Sequence, residues 1–242
     1  MLTVAFEQRG ITLVELMVAS AVSLIALSAV LTVYSATIRH STLQLQAAHL
    51  HQQVRSILYL ISRDLRRAGY WHFDATHQSA AENPFQNGEN SLRSGALPDE
   101  AAESCILLAY DLDADGRVGV GQCRNDHCPP LSDDDNVEQF GFRLRNRAVQ
   151  SRYGGTGLEC GSGYWQSLND AEIEITRLQF RLRTHCISLM QAEKPCRTSM
   201  PRLVQRVARI AIGARIRNQP ETEVSLVQWI AVRNDQLLEG KP

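Results

Sequence analysis

From Ile11 to Tyr34 the chain reads ITLVELMVASAVSLIALSAVLTVY, an apolar run interrupted by a single ionisable residue, Glu15. About 20 apolar residues suffice to cross a bilayer as a helix, so this run predicts a transmembrane segment. The pattern then changes. Leu43, Ala47, Leu50, Val54, Ile57, Ile61, Leu65 and Ala68 recur at spacings of three and four, with Gln44, Gln46, Gln52, Gln53, Arg55 and Arg63 between them. That is the single stripe of an amphipathic helix. Arg66 and Arg67 complement the C-terminal dipole, and Gly69 supplies a left-handed cap. The pattern therefore predicts one helix over about 11–68, roughly 85 Å long at 1.5 Å per residue, apolar all round over 11–34 and one-sided over 35–68.

Beyond Gly69 extended structure takes over. Cys105–Tyr110 (CILLAY), Val137–Arg145 (VEQFGFRLR), Ala148–Tyr153 and Ile173–Leu182 (IEITRLQFRL) are rich in β-formers. Ala208, Ile210, Ile212, Ala214 and Ile216 alternate with polar positions that include Arg209, Arg215 and Arg217, as in a half-buried antiparallel strand. A turn over Asn218–Glu221 leads to a last strand at Val224–Val232. Residues 74–104, rich in Asn, Ser, Glu and Ala, read as a long surface loop or partly helical insertion. No internal repeat or separate linker is visible. The fold class is α+β: a long N-terminal helix packed on an antiparallel β-sheet head over 69–242.

The 242 residues are 44% hydrophobic and 21% charged, which suits one globular body with an appendage and excludes a disordered chain. A net charge of −1 gives no electrostatic reason to expect nucleic acid or a polybasic membrane patch. Membrane contact is therefore hydrophobic.

A secretory signal places a basic region first, then an apolar core, then a cleavage site. Here the order is reversed: the short polar leader MLTVAFEQRG precedes the apolar run, and a cut after Gly10 keeps that run on the mature chain. Gly10 followed by ITLVEL and a helix rich in small residues resembles the prepilin signature of type IV pilins and type II secretion pseudopilins. The resemblance implies cleavage after Gly10 by a dedicated prepilin peptidase, N-methylation of Ile11, and a role in assembly for Glu15. Phe is commoner than Ile at the first mature position. Physics gives Glu15 a partner. An unpaired carboxylate at membrane depth costs several kcal/mol, and the new α-amino group of a neighbouring subunit would neutralise it. The competing explanation is that Glu15 sits at the start of its helix, snorkels to the headgroups and favours the positive end of the dipole. It leaves the preceding Arg-Gly unexplained.

Arg9, partly offset by Glu7, and Arg39 beyond the run barely decide orientation. The cysteines decide it better, since all six lie at or after Cys105 and suit an oxidising periplasm. The segments RDLRRAGYW (63–71), CILLAYDLDADG (105–116) and FGFRLRNRAVQSR (140–152) resemble the PilW family of minor pilins. That resemblance implies priming of type IV pilus assembly and a place in the tip complex, supporting adhesion and twitching motility. Its implied partners are other minor pilins, the major pilin, a pilus-tip adhesin, the prepilin peptidase and the inner-membrane assembly platform. The protein would pass from the inner membrane to the cell surface. The J-type pseudopilin of type II secretion shares the RDLR-like helix end and is the alternative. A membrane-tethered periplasmic binding or hydrolytic module is a third reading, which leaves the leader unexplained. The run has no proline of the kind that kinks the membrane helix of major pilins, which favours a minor component.

Asp111, Asp113, Asp115 and Gly116 form D-x-D-x-D-G, the first half of a calcium loop. The position of the closing glutamate is Gln122, and flanking strands rather than helices are predicted, so ordinary hairpin-turn chemistry competes with calcium. Asp133–Asp135 are a further acidic run, read as a solvated loop. Cys123, His127 and Cys128 lie close together but lack zinc-ribbon or finger spacing, so disulfides are the better reading. Cys186 with Cys196 is the favoured pair; the pairing of Cys105, Cys123, Cys128 and Cys160 is open. G-x-S-x-G, H-E-x-x-H, G-x-x-x-x-G-K and a helix-opening G-x-G-x-x-G are all absent, and the histidines are scattered. The sequence points to no enzyme and to no cofactor other than calcium.

Overall fold

The computed structural model describes residues 10–72, 79–119, 137–155, 157–190, 196 and 199–240. Helix α1 runs Leu13–Arg67, and the boundary between two compact units, Met1–Ala48 and His49–Pro242, falls within it. In the first unit the helix is apolar, with a mean hydropathy of 2.4 over its most apolar 18-residue window. Its hydroxyls are satisfied locally. Ser20, Ser23, Ser28, Thr32, Ser35, Thr37 and Thr42 each donate to a carbonyl three or four residues earlier, so these hydroxyls find their partners within the helix.

In the second unit the helix meets two antiparallel sheets, where the sequence pattern leads one to expect a single sheet. The first is a meander in the order β1 (Arg93–Gly95), β2 (Cys105–Ala109), β3 (Gln139–Arg145), β4 (Ala148–Gly154) and β5 (Tyr164–Ser167). The second joins β6 (Ile173–Ser188), β7 (Arg202–Ile216) and β8 (Gln219–Ala231), with β9 (Gln236–Leu238) pairing the start of β7 beyond the end of β8. Loops tie the sheets together: Phe180 N–H donates to Glu103 O and Ile175 N–H to Arg147 O, at 2.8 and 2.9 Å.

The buried helix stripe begins at Leu50, not at Leu43, which is exposed. Leu50, Val54, Ile57, Ile61, Leu65 and Ala68 share one core with Ile106, Leu108, Phe142 and Val149 of the first sheet and with Ile175, Phe180, Ala208, Ile210 and Ile212 of the second. The helix ends as its residues require. Gly69 adopts φ +74°, and a Cβ there would stand 2.4 Å from Gln86 Nε2. Asn234 Nδ2 donates to the carbonyls of Arg67 and Ala68, two of the acceptors a helix leaves open at its C-terminus.

Of the two readings of this segment, residues 79–104 follow the partly helical one, with short 3-10 helices at Ala80–Glu82 and Gly88–Asn90. The segment also contains β1, and Phe85, 1% exposed, packs with Leu107, Ala109 and Leu158 on the face of β2 opposite the main core. This second layer explains why CILLAY is continuously apolar: every residue of β2 is buried. Strands β6 and β7 are longer than their apolar patterns, because residues 183–187 of β6 pair with 203–207 of β7 while much of their side-chain surface stays in solvent. The hairpin into β8 is tighter than expected, with the turn at Arg217 and Asn218.

Candidate functional site

Gly10 and Ile11 precede the helix and are exposed. A Cβ built on Gly10 would meet nothing within 4 Å, so the packing of this chain does not require glycine there. Thr12 and Glu15 form a reciprocal cap. Glu15 Oε2 accepts from the Thr12 N–H and hydroxyl, both at 2.9 Å, and the Glu15 N–H donates to Thr12 Oγ1 at 3.3 Å. This is the T-x-x-E capping box, in which one side chain at each end satisfies a helix-terminal donor. Thr12 is a residue the apolar reading passed over, although its spacing from Glu15 was visible.

The three segments that carry the PilW resemblance meet at Tyr110. Its hydroxyl lies 3.4 Å from Asp64 Oδ1, Arg67 stands over its ring at 5.9 Å, and Phe140 of β3 stacks on it with centroids 4.0 Å apart. Burial foremost, then the Asp64 charge, pushes the Tyr110 hydroxyl up to about 12. These residues are a structural joint between helix and first sheet. A second joint is Glu174 of β6, 7% exposed, which pairs with Arg147 and Arg215 at 3.0 Å and Arg217 at 3.3 Å. Hydrogen bonding from Arg215 is the chief cause of its lowered pKa.

Asp111, Asp113 and Asp115 converge, and a fourth carboxylate joins them: Glu138, immediately before β3. One oxygen from each of the four lies within 4.8 Å of the others. Glu138 is 1% exposed and accepts from Leu112 N–H at 2.7 Å and Gly119 N–H at 3.0 Å. Burial outweighs those two donors and lifts it to about 7. Asp115 is also raised, mainly by burial. Sequence spacing gave no sign of Glu138, because the fold alone brings the start of β3 beside the Asp111 loop. Gln122, the expected closing position, and Asp133–Asp135 lie outside the described residues.

Cys186 and Cys196 are disulfide-bonded, and so are Cys105 and Cys160, which the sequence left unassigned. The second bridge fastens buried β2 to the β4–β5 connection across 55 residues, worth about 4 kcal/mol in the chain-entropy model. Cys123, His127 and Cys128 lie outside the described residues.

Residues 43–232 match the family model described as prepilin peptidase-dependent protein B. The chain belongs to this family. Residues 6–31 separately match the prokaryotic N-terminal methylation motif, which spans Gly10, Ile11 and Glu15. Members of the prepilin peptidase-dependent protein B family are pilin-like, and the helix-on-antiparallel-sheets architecture of this chain agrees with a type IV pilin-like fold. An uncharacterized protein of Haemophilus influenzae is 26% identical over 156 residues, a match covering 54% of this chain and 65% of that protein. No solved structure matches. Pilin-like proteins are structural.

Proposed function

We propose that this protein is a minor pilin of PilW type that primes type IV pilus assembly and remains in the tip complex. The observation that carries the reading is the joining, in one chain, of the N-terminal methylation motif at residues 6–31 to a family-specific body over 43–232. The first part supplies what every filament subunit needs: a peptidase site at Gly10, an N-terminus at Ile11, and an apolar helix with Glu15. Docking is then an exchange of partners. The α-amino group of Ile11 in one subunit meets Glu15 of the next, and two charges leave the apolar surroundings as a pair.

The second part argues for a limited number of copies. Two sheets and a covering layer over 79–104 make a bulky head, and bulk is least restricted where a subunit has neighbours on one side only. Several such subunits associating through apolar helices form a nucleus and reduce the entropic cost of starting a filament. The partners are other minor pilins, the major pilin, a tip adhesin, the prepilin peptidase and the inner-membrane platform.

Affinity capture of the native protein from crosslinked membranes tests this reading. Recovery of minor pilins with a tip adhesin is expected. Recovery of type II secretion components instead would make the chain a J-type pseudopilin.

A further inference from the structure

We propose that the head binds a calcium ion through Asp111, Asp113 and Asp115 of the β2–β3 connection and Glu138 at the start of β3. This goes beyond the assembly reading and does not depend on it. All four ligands are carboxylates, with no sulfur or imidazole among them, which selects a hard cation. Their oxygens lie within 4.8 Å of one another. Calcium takes six to eight oxygens, commonly several carboxylates, whereas magnesium is usually held by one or two carboxylates, so four carboxylates this close together favour calcium.

A second observation points to the ion independently of the clustering. Asp111 is 3% exposed; its Oδ2 accepts from the backbone N–H groups of His72 and Gly116, yet its Oδ1 is buried with no hydrogen-bond partner. A buried carboxylate oxygen without a donor has lost its hydration and gained nothing for it. This carboxylate faces three others, so the group that completes it is a cation. Among the described residues neither Asp111 nor Glu138 is in a salt bridge. Arg117 donates its backbone N–H to Asp115 Oδ1 at 2.8 Å, and its charge also acts on that carboxylate.

Turn chemistry accounts for part of the loop. The N–H groups of Asp115 and Arg117 donate to the carboxylates two residues earlier, as in ordinary Asx turns. It accounts neither for Glu138, which arrives from another part of the chain, nor for the orphaned Oδ1. A calcium ion accounts for both, and it would fasten the Asp111 loop to the first residue before β3.

The test uses the full-length protein in detergent micelles, stripped with EDTA and exchanged into ion-free buffer. Calorimetric titration with calcium chloride should give one ion per chain, with Kd of about 10⁻⁴–10⁻³ M as in extracellular calcium modules. At about 10 mM calcium, Tm should rise by about 3–10 °C, with a smaller rise in magnesium and none in sodium chloride of matched ionic strength. Trp71 offers a positional readout, because its Nε1–H donates to the Gly116 carbonyl at 3.0 Å. Terbium in the site should show indole-sensitised emission that Trp71→Phe removes while calcium heat persists. Asp113→Asn should fold and lose at least about tenfold in calcium affinity, the size of one charged ligand at 1.4 kcal/mol. The wild-type titration decides even where a variant fails to fold: no calcium heat with no change in Tm overturns the site. So does a thermal rise reproduced by sodium chloride, undiminished affinity in Asp113→Asn, or terbium emission that survives loss of Trp71.

Discussion

Thr12 and Glu15 cap each other: the carboxylate takes the threonine N–H and hydroxyl at 2.9 Å, and the threonine oxygen takes the glutamate N–H. The acid in the apolar run is therefore engaged at the start of its own helix before any neighbour arrives. A capping box accepts glutamine as readily as glutamate, whereas an ion pair with a neighbour's ammonium does not. Glu15→Gln should accordingly keep the helix start and the membrane anchor, yet reduce incorporation into sheared filaments by at least about a hundredfold, since stranding a buried charge costs about 3–5 kcal/mol. Thr12→Ala should cost about 1 kcal/mol of local helix stability and leave incorporation close to wild type. Normal incorporation of the Gln variant would reduce Glu15 to a capping residue.

Gly10 has open space around its missing side chain, so a larger residue there does not disturb the fold. Gly10→Val should therefore leave the head and helix intact while blocking the peptidase, seen as an intact-protein mass that retains residues 1–10 and an unmethylated Ile11. A processed, methylated variant would contradict the assignment of the cleavage site.

Glu174 predicts how the head responds to acid. Its folded pKa is depressed below the ordinary 4.5, chiefly by the Arg215 hydrogen bonds, so the ionised form favours folding. That contribution is fully present above the ordinary value and is lost as pH falls through the depressed one. Thermal melts of Glu174→Gln should show a Tm below wild type at neutral pH, with the gap closing as pH drops below 4.5. A gap that stays constant through that range would mean the side chain acts by packing alone.

Much of this arrangement was legible from periodicity. The helix from Leu13 to Arg67, its Gly69 terminus and most strands follow from spacing, because each depends on neighbours in the sequence. What escaped notice depends on contacts between distant segments. Phe85 covers the far side of β2, so a polar stretch that reads as a loop or partly helical insertion also forms a packed layer. Glu138 completes the acidic cluster only because β3 pairs with β2, and Cys105 finds Cys160 only because β5 returns beside β4. The strand ends beyond Leu182 lacked alternation because much of their side-chain surface is in solvent.

The central claim is a priming subunit at the filament end, and labelling measures it directly. Gold particles against an epitope tag on a functional copy should mark one end of each filament, in a strain whose pilus number collapses when the protein is deleted. Labels spaced along the shaft, or normal piliation without the protein, would contradict it.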